Sequence, residues 1–325
     1  MTAHAVEDVL HGLTGGMLLD DFNGQVRERR LAHFKAAIAP ALLDGVFSLP
    51  RLEHLLREEN GLTPYIDVFD GKDLRQFVDR KGGKNNFDVV ADCLRRGATI
   101  RVRNAEKFDP RLGELITRVE QHFVGRCDGN FYLTPPEHAG FPAHFDSTDV
   151  FVIQCIGKKH WRIYDQYTNI SELPPPEAGW ESERFKPTSP PRNFELDRGD
   201  VLYLPRGFMH EAFCTGRESM HLTISLASVT FADLLRKVVA SAAVSDIELR
   251  RRVPWFATDT SGEAEQLAQQ VKDRLTRLAT DFDLAGLLRE EHPARLRSHD
   301  ALNASQSKKT AGRSPPSIET EKVSD

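Results

Sequence analysis

A jelly roll or closed barrel of short strands, with helices on both flanks, is the fold class this sequence predicts. Three observations carry it. From about residue 130 the runs NFYLTPP, DVFVIQCIG, KHWRIYD, GDVLYLP, HEAFCTG and MHLTISLASV are rich in β-branched and aromatic residues and bounded by Gly, Pro and Asp. Many short strands at close spacing suit a barrel or a double-sheet jelly roll, which leaves few strand edges unpaired. On both flanks apolar residues recur every three or four positions, the period of an amphipathic helix.

In chain order, residues 25–60 read as helical through LAHFKAAIAPALLDGVF and LPRLEHLLREE. DLRQFVDR and FDVVADCLRRG continue the pattern, and Gly97 is placed to cap the last of these helices. TIRVRNAEKF alternates like a strand, and PRLGELITRVEQHF is a helix opened by Pro110. Within the β region, LPPPEAGWESERFKPTSPPR (173–192) is proline-rich and charged and reads as a long surface loop shaping a substrate mouth. Helical periodicity returns in FADLLRKVVASAAVSDIELR and GEAEQLAQQVKDRLTRLATDFDLAGLLRE, with Pro254 and Gly262 in the break between them. Beyond residue 295 the chain is polar and poor in apolar residues, the composition of a disordered tail. The resulting division is 1–98, an N-terminal helical region packing on the core; 99–230, the β core; 231–294, a C-terminal helical segment; and 295–325, the tail.

Composition narrows the function classes. Lys and Arg number 43 against 48 Asp and Glu, a net charge of −5, so no global basic field favours nucleic acid or an anionic membrane. No run approaches the ~20 apolar residues that span a bilayer, and MTAHAVEDVLHG lacks the basic and apolar regions of a secretory signal. Cys93, Cys127, Cys155 and Cys214 show no CxxC spacing and read as reduced thiols, with Cys155 and Cys214 buried in strand-like runs. A cytoplasmic address is the expectation.

The chemistry lies in His144-Phe145-Asp146. On a strand, residues two apart face the same side, so an imidazole and a carboxylate converge on one point. His210 follows the strand GDVLYLP and a Pro-Arg-Gly turn, a return that can bring it opposite this pair. Two imidazoles and a carboxylate on one face, with open positions beside them, are the facial triad of non-haem Fe(II) oxygenases. Among twelve histidines such a pair also arises by chance. Spacing alone therefore leaves a second reading, a surface His–Asp pair and an unrelated core histidine.

The run NFYLTPPEHAGFPAHFDSTDVFVIQCIGKKHWRIYD resembles the core of the JmjC-type cupin oxygenases, in particular their ribosomal-oxygenase branch. There an N-x-Y-x-TPP strand precedes H-x-D, and DVF-x-x-Q-x-x-G-x-K-x-W follows. GDVLYLPRGFMHEAFCTGRESMHLTIS is similar to the segment bearing that branch's third ligand, and the exit SVTFADLLRK is similar too. The likeness covers roughly residues 50–240. It implies a double-stranded β-helix, the JmjC-like form of the jelly roll, and Fe(II), 2-oxoglutarate and O2 as cofactor and co-substrates. His144, Asp146 and His210 then match the iron ligands, and Lys159 the residue that pairs the distal carboxylate of 2-oxoglutarate. A buried ammonium needs an anion, and its parity opposes Lys158, which suits the turn. Asn130, Tyr132, Thr223 and Ser225 match polar positions lining the co-substrate pocket.

Other histidines are assigned away from the site: His160 and His221 by alternation, His122 to a helix end and His138 to a loop. Trp161 and Phe151 read as wall or core, and Glu211 as outward-facing. The implied activity is hydroxylation of an amino-acid side chain in a protein or peptide, with CO2 and succinate as co-products. Two departures keep a free amino acid or a peptide natural product open as substrate. The remainder after the C-terminal helices is too short and polar for the branch's winged-helix domain, and Ser147-Thr148 stand where the family is more acidic. A reading of another class is a non-catalytic metal-binding cupin sensor, which would need neither Lys159 nor Asn130. Lysine demethylation ranks lowest. The C-terminal helices either pack on the barrel or form a homodimer interface, and the resemblance favours the second.

Overall fold

Two antiparallel sheets with an apolar layer between them organise the computed structural model. It describes residues 3–28, 30–46, 48–71, 74–76, 85–123, 125–166, 190–253, 261–281, 283, 286 and 318–319. In chain order the elements are α1 (Ala3–Leu13), α2 (Leu19–Gln25), β1 (Ala32–Phe34), α3 (Pro40–Val46), α4 (Leu49–Glu58), β2 (Ile66–Phe69) and β3 (Leu74–Gln76). Next come α5 (Asn86–Arg95), β4 (Thr99–Val102), α6 (Pro110–Phe123), β5 (Gly125–Thr134), β6 (Asp149–Ile156) and β7 (Lys159–Gln166). They are followed by β8 (Arg192–Leu196), β9 (Val201–Leu204), β10 (Phe208–Phe213), β11 (Ser219–Ser228), α7 (Phe231–Ser245), α8 (Ser261–Asp281) and β12 (Ile318–Glu319).

Among the described residues the larger sheet runs β12-β1-β9-β6-β11-β5-β4-β2-β3 and the smaller β10-β7-β8. The central strands of the large sheet are apolar on both faces, and alternation sorts their side chains into two cores. Phe151, Ile153, Cys155, Val201 and Tyr203 pack with the N-terminal helices around Phe22, Phe34 and Phe123. Val150, Val152, Leu202 and Leu204 pack instead with Trp161, Ile163, Leu196 and Phe208 of the small sheet. Strands covered on both faces read as continuous apolar runs, which is why DVFVIQCI lacks a polar alternation. This sandwich is the predicted jelly roll.

Local capping bears out the helix ends read from sequence. Gly97 takes φ +88°, Gly97 N–H bonds Leu94 O, and Ala98 N–H bonds Cys93 O, a Schellman closure of α5. Pro110 opens α6, while the Asp109 carboxylate accepts from the amides of Arg111 and Leu112.

Two segments differ from the helical reading. LAHFKAAIAPALLDGVF yields strand β1 and only the short α3. Edge pairing with β9 and a buried bond between His33 Nε2 and Asp200 Oδ2 at 3.0 Å outweigh its helical spacing. DLRQFVDR yields β3, paired with β2, and its residues 77–80 lie outside the described ones. The β1–β9 pairing joins residues far apart in sequence, which a local period cannot register, whereas β2 and β3 are consecutive strands whose pairing overrides the helical spacing. The segment 173–189 and the predicted tail, apart from 318–319, also lie outside the described residues.

Residues 229–298 form a second compact unit. Helix α7 opens on a capping box between Thr230 and Asp233. Along it Phe231, Leu235 and Val239 are 85, 64 and 40% exposed, an apolar stripe with a four-residue period.

Candidate metal centre and adjoining pocket

His144 and His210 meet across an isolated antiparallel bridge between the segment ahead of β6 and strand β10. His144 N–H bonds His210 O at 3.0 Å, and His210 N–H bonds His144 O at 2.7 Å. Each imidazole then donates Nδ1–H to a carbonyl two residues back, His144 to Pro142 O at 2.8 Å and His210 to Phe208 O at 2.9 Å. A carbonyl can only accept, so both rings carry a proton on Nδ1 and turn Nε2 away from that carbonyl as the candidate ligand atom. Asp146 Oδ2 lies 3.7 Å from His210 Nε2, and the turn holding it is tied by Gly207 N–H to Asp146 O at 2.9 Å.

One ligand atom from each of His144, Asp146 and His210 falls within 4.8 Å of the others. Burial, and then the neighbouring His144, push the His210 pKa down to about 4, so the imidazole is neutral near pH 7. Two imidazoles and a carboxylate, with one ligand atom of each in a single cluster, form a donor set for a divalent first-row metal with positions left open.

The pocket beside this centre is lined by Tyr132, Phe141, Lys159, Trp161, His221 and Thr223, among others. Lys159 is 1% exposed. Its ammonium donates to Thr134 Oγ1 at 2.7 Å, and no carboxylate pairs with it among the described residues. Burial pulls its pKa down to about 7, the signature of a cation kept from water without a counter-ion. Lys158 instead reaches Glu195 and Asp197 at 2.8 and 2.9 Å on the surface, as parity predicts. A Cβ on Gly140 would lie 3.8 Å from Lys159 Nζ and 3.2 Å from Ala212 O, so the missing side chain leaves room beside the ammonium. An acid with a metal-binding end and a second carboxylate fits this arrangement.

Tyr132 and Thr223 line the pocket. Asn130 and Ser225 lie on the same strands nearer the other end and are not in that lining. Asn130 Nδ2 donates to Asp128 Oδ1 at 2.5 Å and approaches Ser225 Oγ at 3.5 Å, while Asn130 Oδ1 accepts from Asn104 N–H at 3.1 Å. Tyr132 is backed by Arg101, whose guanidinium shares the buried Asp67 carboxylate with Arg103.

His221 is a correction. The sequence assigns it away from the site, yet it lines the pocket, its ring stacked on Tyr132 at 4.8 Å and 7°. It stands two positions before Thr223 on β11, so correct parity places both on one face. Thr134 was also missed; it lies in the run NFYLTPP at Tyr132's parity. His160 does turn outward, to Thr215 and Glu195, and Glu211 outward to Tyr164 and Arg162. Phe151 is core, and Trp161 is pocket wall.

Comparison with known proteins bears on the family. The JmjC domain model matches residues 102–234. Ribosomal oxygenase 1 of Gallus gallus is 30% identical over 232 residues, which is 69% of this chain and 38% of that protein. The bifunctional lysine-specific demethylase and histidyl-hydroxylase NO66 of Dictyostelium discoideum is 27% identical over 292 residues, 87% of this chain and 56% of that one. This chain thus spans between about two fifths and three fifths of the length of these two relatives. The X-ray structure of E. coli ycfD matches with TM-score 0.51 at 18% identity, over 82% of this chain and 69% of that one, a likeness of fold.

Proposed function

The chain belongs to the JmjC-domain family, and from that premise we propose that it is an Fe(II)- and 2-oxoglutarate-dependent hydroxylase of an amino-acid side chain in a protein. The observation that carries the reading is the pairing of a preset metal triad with an unpaired buried lysine across one pocket. A metal sensor would need the first and not the second. His144, Asp146 and His210 would hold Fe(II), and Lys159 with Thr134 would hold the distal carboxylate of 2-oxoglutarate.

Bound together with O2, these groups supply an oxidant able to take hydrogen from a C–H bond, with CO2 and succinate as co-products. The chain's own part is to orient and to exclude water. The Nδ1–H bonds aim both Nε2 lone pairs at one point, and Trp161, Phe141, Val150 and Val152 wall the pocket with apolar surface. Tyr132 and Thr223 would border the co-substrate, while Asn130 and Ser225 lie on the same strands outside the pocket lining.

A protein substrate is supported by the names of the relatives, one a ribosomal oxygenase and another a histidyl-hydroxylase. The exposed stripe on α7 supports a homodimer of the C-terminal helices. Among the described residues no helix is long and apolar enough to cross a membrane. Four free thiols, three of them buried, suit a reducing compartment, which supports a cytoplasmic address.

The direct test supplies Fe(II), 2-oxoglutarate and O2 with ribosomal and total protein from the host, and reads succinate and +16 Da peptides. Turnover that depends on added protein and vanishes in His144→Ala supports the proposal. Succinate formation equal in wild type and His144→Ala overturns it.

A further inference from the structure

Two buried polar atoms in the pocket wall, His221 Nδ1 and Trp161 Nε1, have no hydrogen-bond partner among the described residues. Their side chains are 3 and 5% exposed, and both residues line the same pocket as Lys159 and the triad. A buried hydrogen-bonding atom left without a partner is destabilising. Two neighbouring ones in one wall point to a partner that the folded chain does not contain.

Packing holds the two rings in place. The His221 imidazole lies flat on Tyr132 and meets the Trp161 indole edge-on, with centroids 5.5 Å apart at 69°. On its other side the indole lies 5.8 Å from the His210 ring. Lys159 and His210 both act electrostatically on His221. The pair therefore stands in the wall of the pocket that the metal triad and Lys159 also line. Burial, with the two cations or potential cations beside it, holds the His221 pKa well below the ordinary histidine range. The imidazole is neutral near pH 7, with one N–H to donate.

We infer that His221 and Trp161 bind the keto acid directly, donating to its oxygens between the metal-facing end and the carboxylate held by Lys159. The inference rests on the 2-oxoglutarate reading of the pocket. It adds two donors to the co-substrate contacts and gives His221 a role that neither a core histidine nor a metal ligand would have. The rings also set the length of the site, because they fill the wall that an acid of different length would have to reach.

Calorimetric titration of 2-oxoglutarate into the Mn(II)-loaded full chain separates the possibilities without relying on turnover. His221→Phe keeps the stack on Tyr132 and removes the nitrogens; Trp161→Phe keeps an aromatic wall and removes the N–H. Each is expected to raise the Kd for 2-oxoglutarate at least about tenfold, while the Kd for Mn(II) alone stays within about twofold. His221→Gln, which restores a donor, is expected to recover part of the loss, and it carries the test if the Phe variant does not fold. Wild-type Kd for 2-oxoglutarate in both Phe variants overturns the inference and leaves the proposed function standing. Loss of Mn(II) binding together with 2-oxoglutarate also overturns it, assigning the residues to support of the metal ligands. Wild-type protein that binds Mn(II) but no 2-oxoglutarate at millimolar concentration overturns both.

Discussion

His144 and His210 exchange two backbone hydrogen bonds, of 3.0 and 2.7 Å, and this bridge sets their imidazoles 4.5 Å apart. The spacing is a property of the protein backbone, with each ring oriented by its own carbonyl acceptor. A site organised in this way needs little rearrangement to take a metal.

Asp146 is the triad member with least structural work, since its backbone carbonyl rather than its side chain ties down the turn. Its carboxylate is half-buried and its contact with His210 is 3.7 Å. Asp146→Ala is expected to weaken Mn(II) or Fe(II) binding by at least about 100-fold while the fold survives. Removing this charged ligand should shift Tm only by a few degrees, in keeping with the ~1 kcal/mol typical of a modest substitution. Metal titration and thermal melts check both halves.

Lys159 gives the site a pH dependence of defined sign. Burial lowers its pKa to about 7 from 10.5, so the unfolded chain holds more protons than the native one between those values. Stability of the metal-free protein should accordingly rise with pH across about 7 to 10.5, by a few kcal/mol in total. Binding of a dicarboxylate has the opposite trend, because it requires the ammonium. The Kd for 2-oxoglutarate is expected to increase as pH rises above about 7. Lys159→Met should flatten the lysine's part of both profiles and weaken 2-oxoglutarate binding at least about tenfold. Denaturant melts and calorimetry from pH 6.5 to 9 provide the check.

Gly140 guards the volume in which the distal carboxylate would sit. A methyl group there would stand 3.8 Å from Lys159 Nζ, and 3.2 Å from Ala212 O is tight for any Cβ. Gly140→Ala is expected to raise the Kd for 2-oxoglutarate several-fold at little cost to stability. Gly140→Val should nearly abolish co-substrate binding while Mn(II) still binds. Equal 2-oxoglutarate affinity in all three proteins would place the carboxylate elsewhere.

The C-terminal unit carries its own prediction. Phe231, Leu235 and Val239 share one face of α7 and remain exposed within the single chain. Leu235→Glu combined with Phe231→Ser is expected to convert a dimer to a monomer in sedimentation, with metal and 2-oxoglutarate affinities unchanged. A wild-type monomer at micromolar concentration would remove the basis for a homodimer.

Sequence by itself determined strands β5, β6, β7, β9, β10 and β11 and the ends of α5 and α6, and it singled out His144, Asp146, His210 and Lys159 as candidates, while β8 went unread. The strands and helix ends are local, since alternation, turn residues and caps act within a few positions, whereas the four site candidates rested on the order of motifs along the chain. Tertiary structure alone decided that Ala32–Phe34 is a strand, because its partner β9 lies about 170 positions away and is reached only in the folded sheet. It also decided that Thr134 answers Lys159 and that His221, read as outward, stands in the pocket wall beside Trp161. Parity can tell which face a residue takes, but the identity of what lies across that face depends on the closing of two sheets over one core.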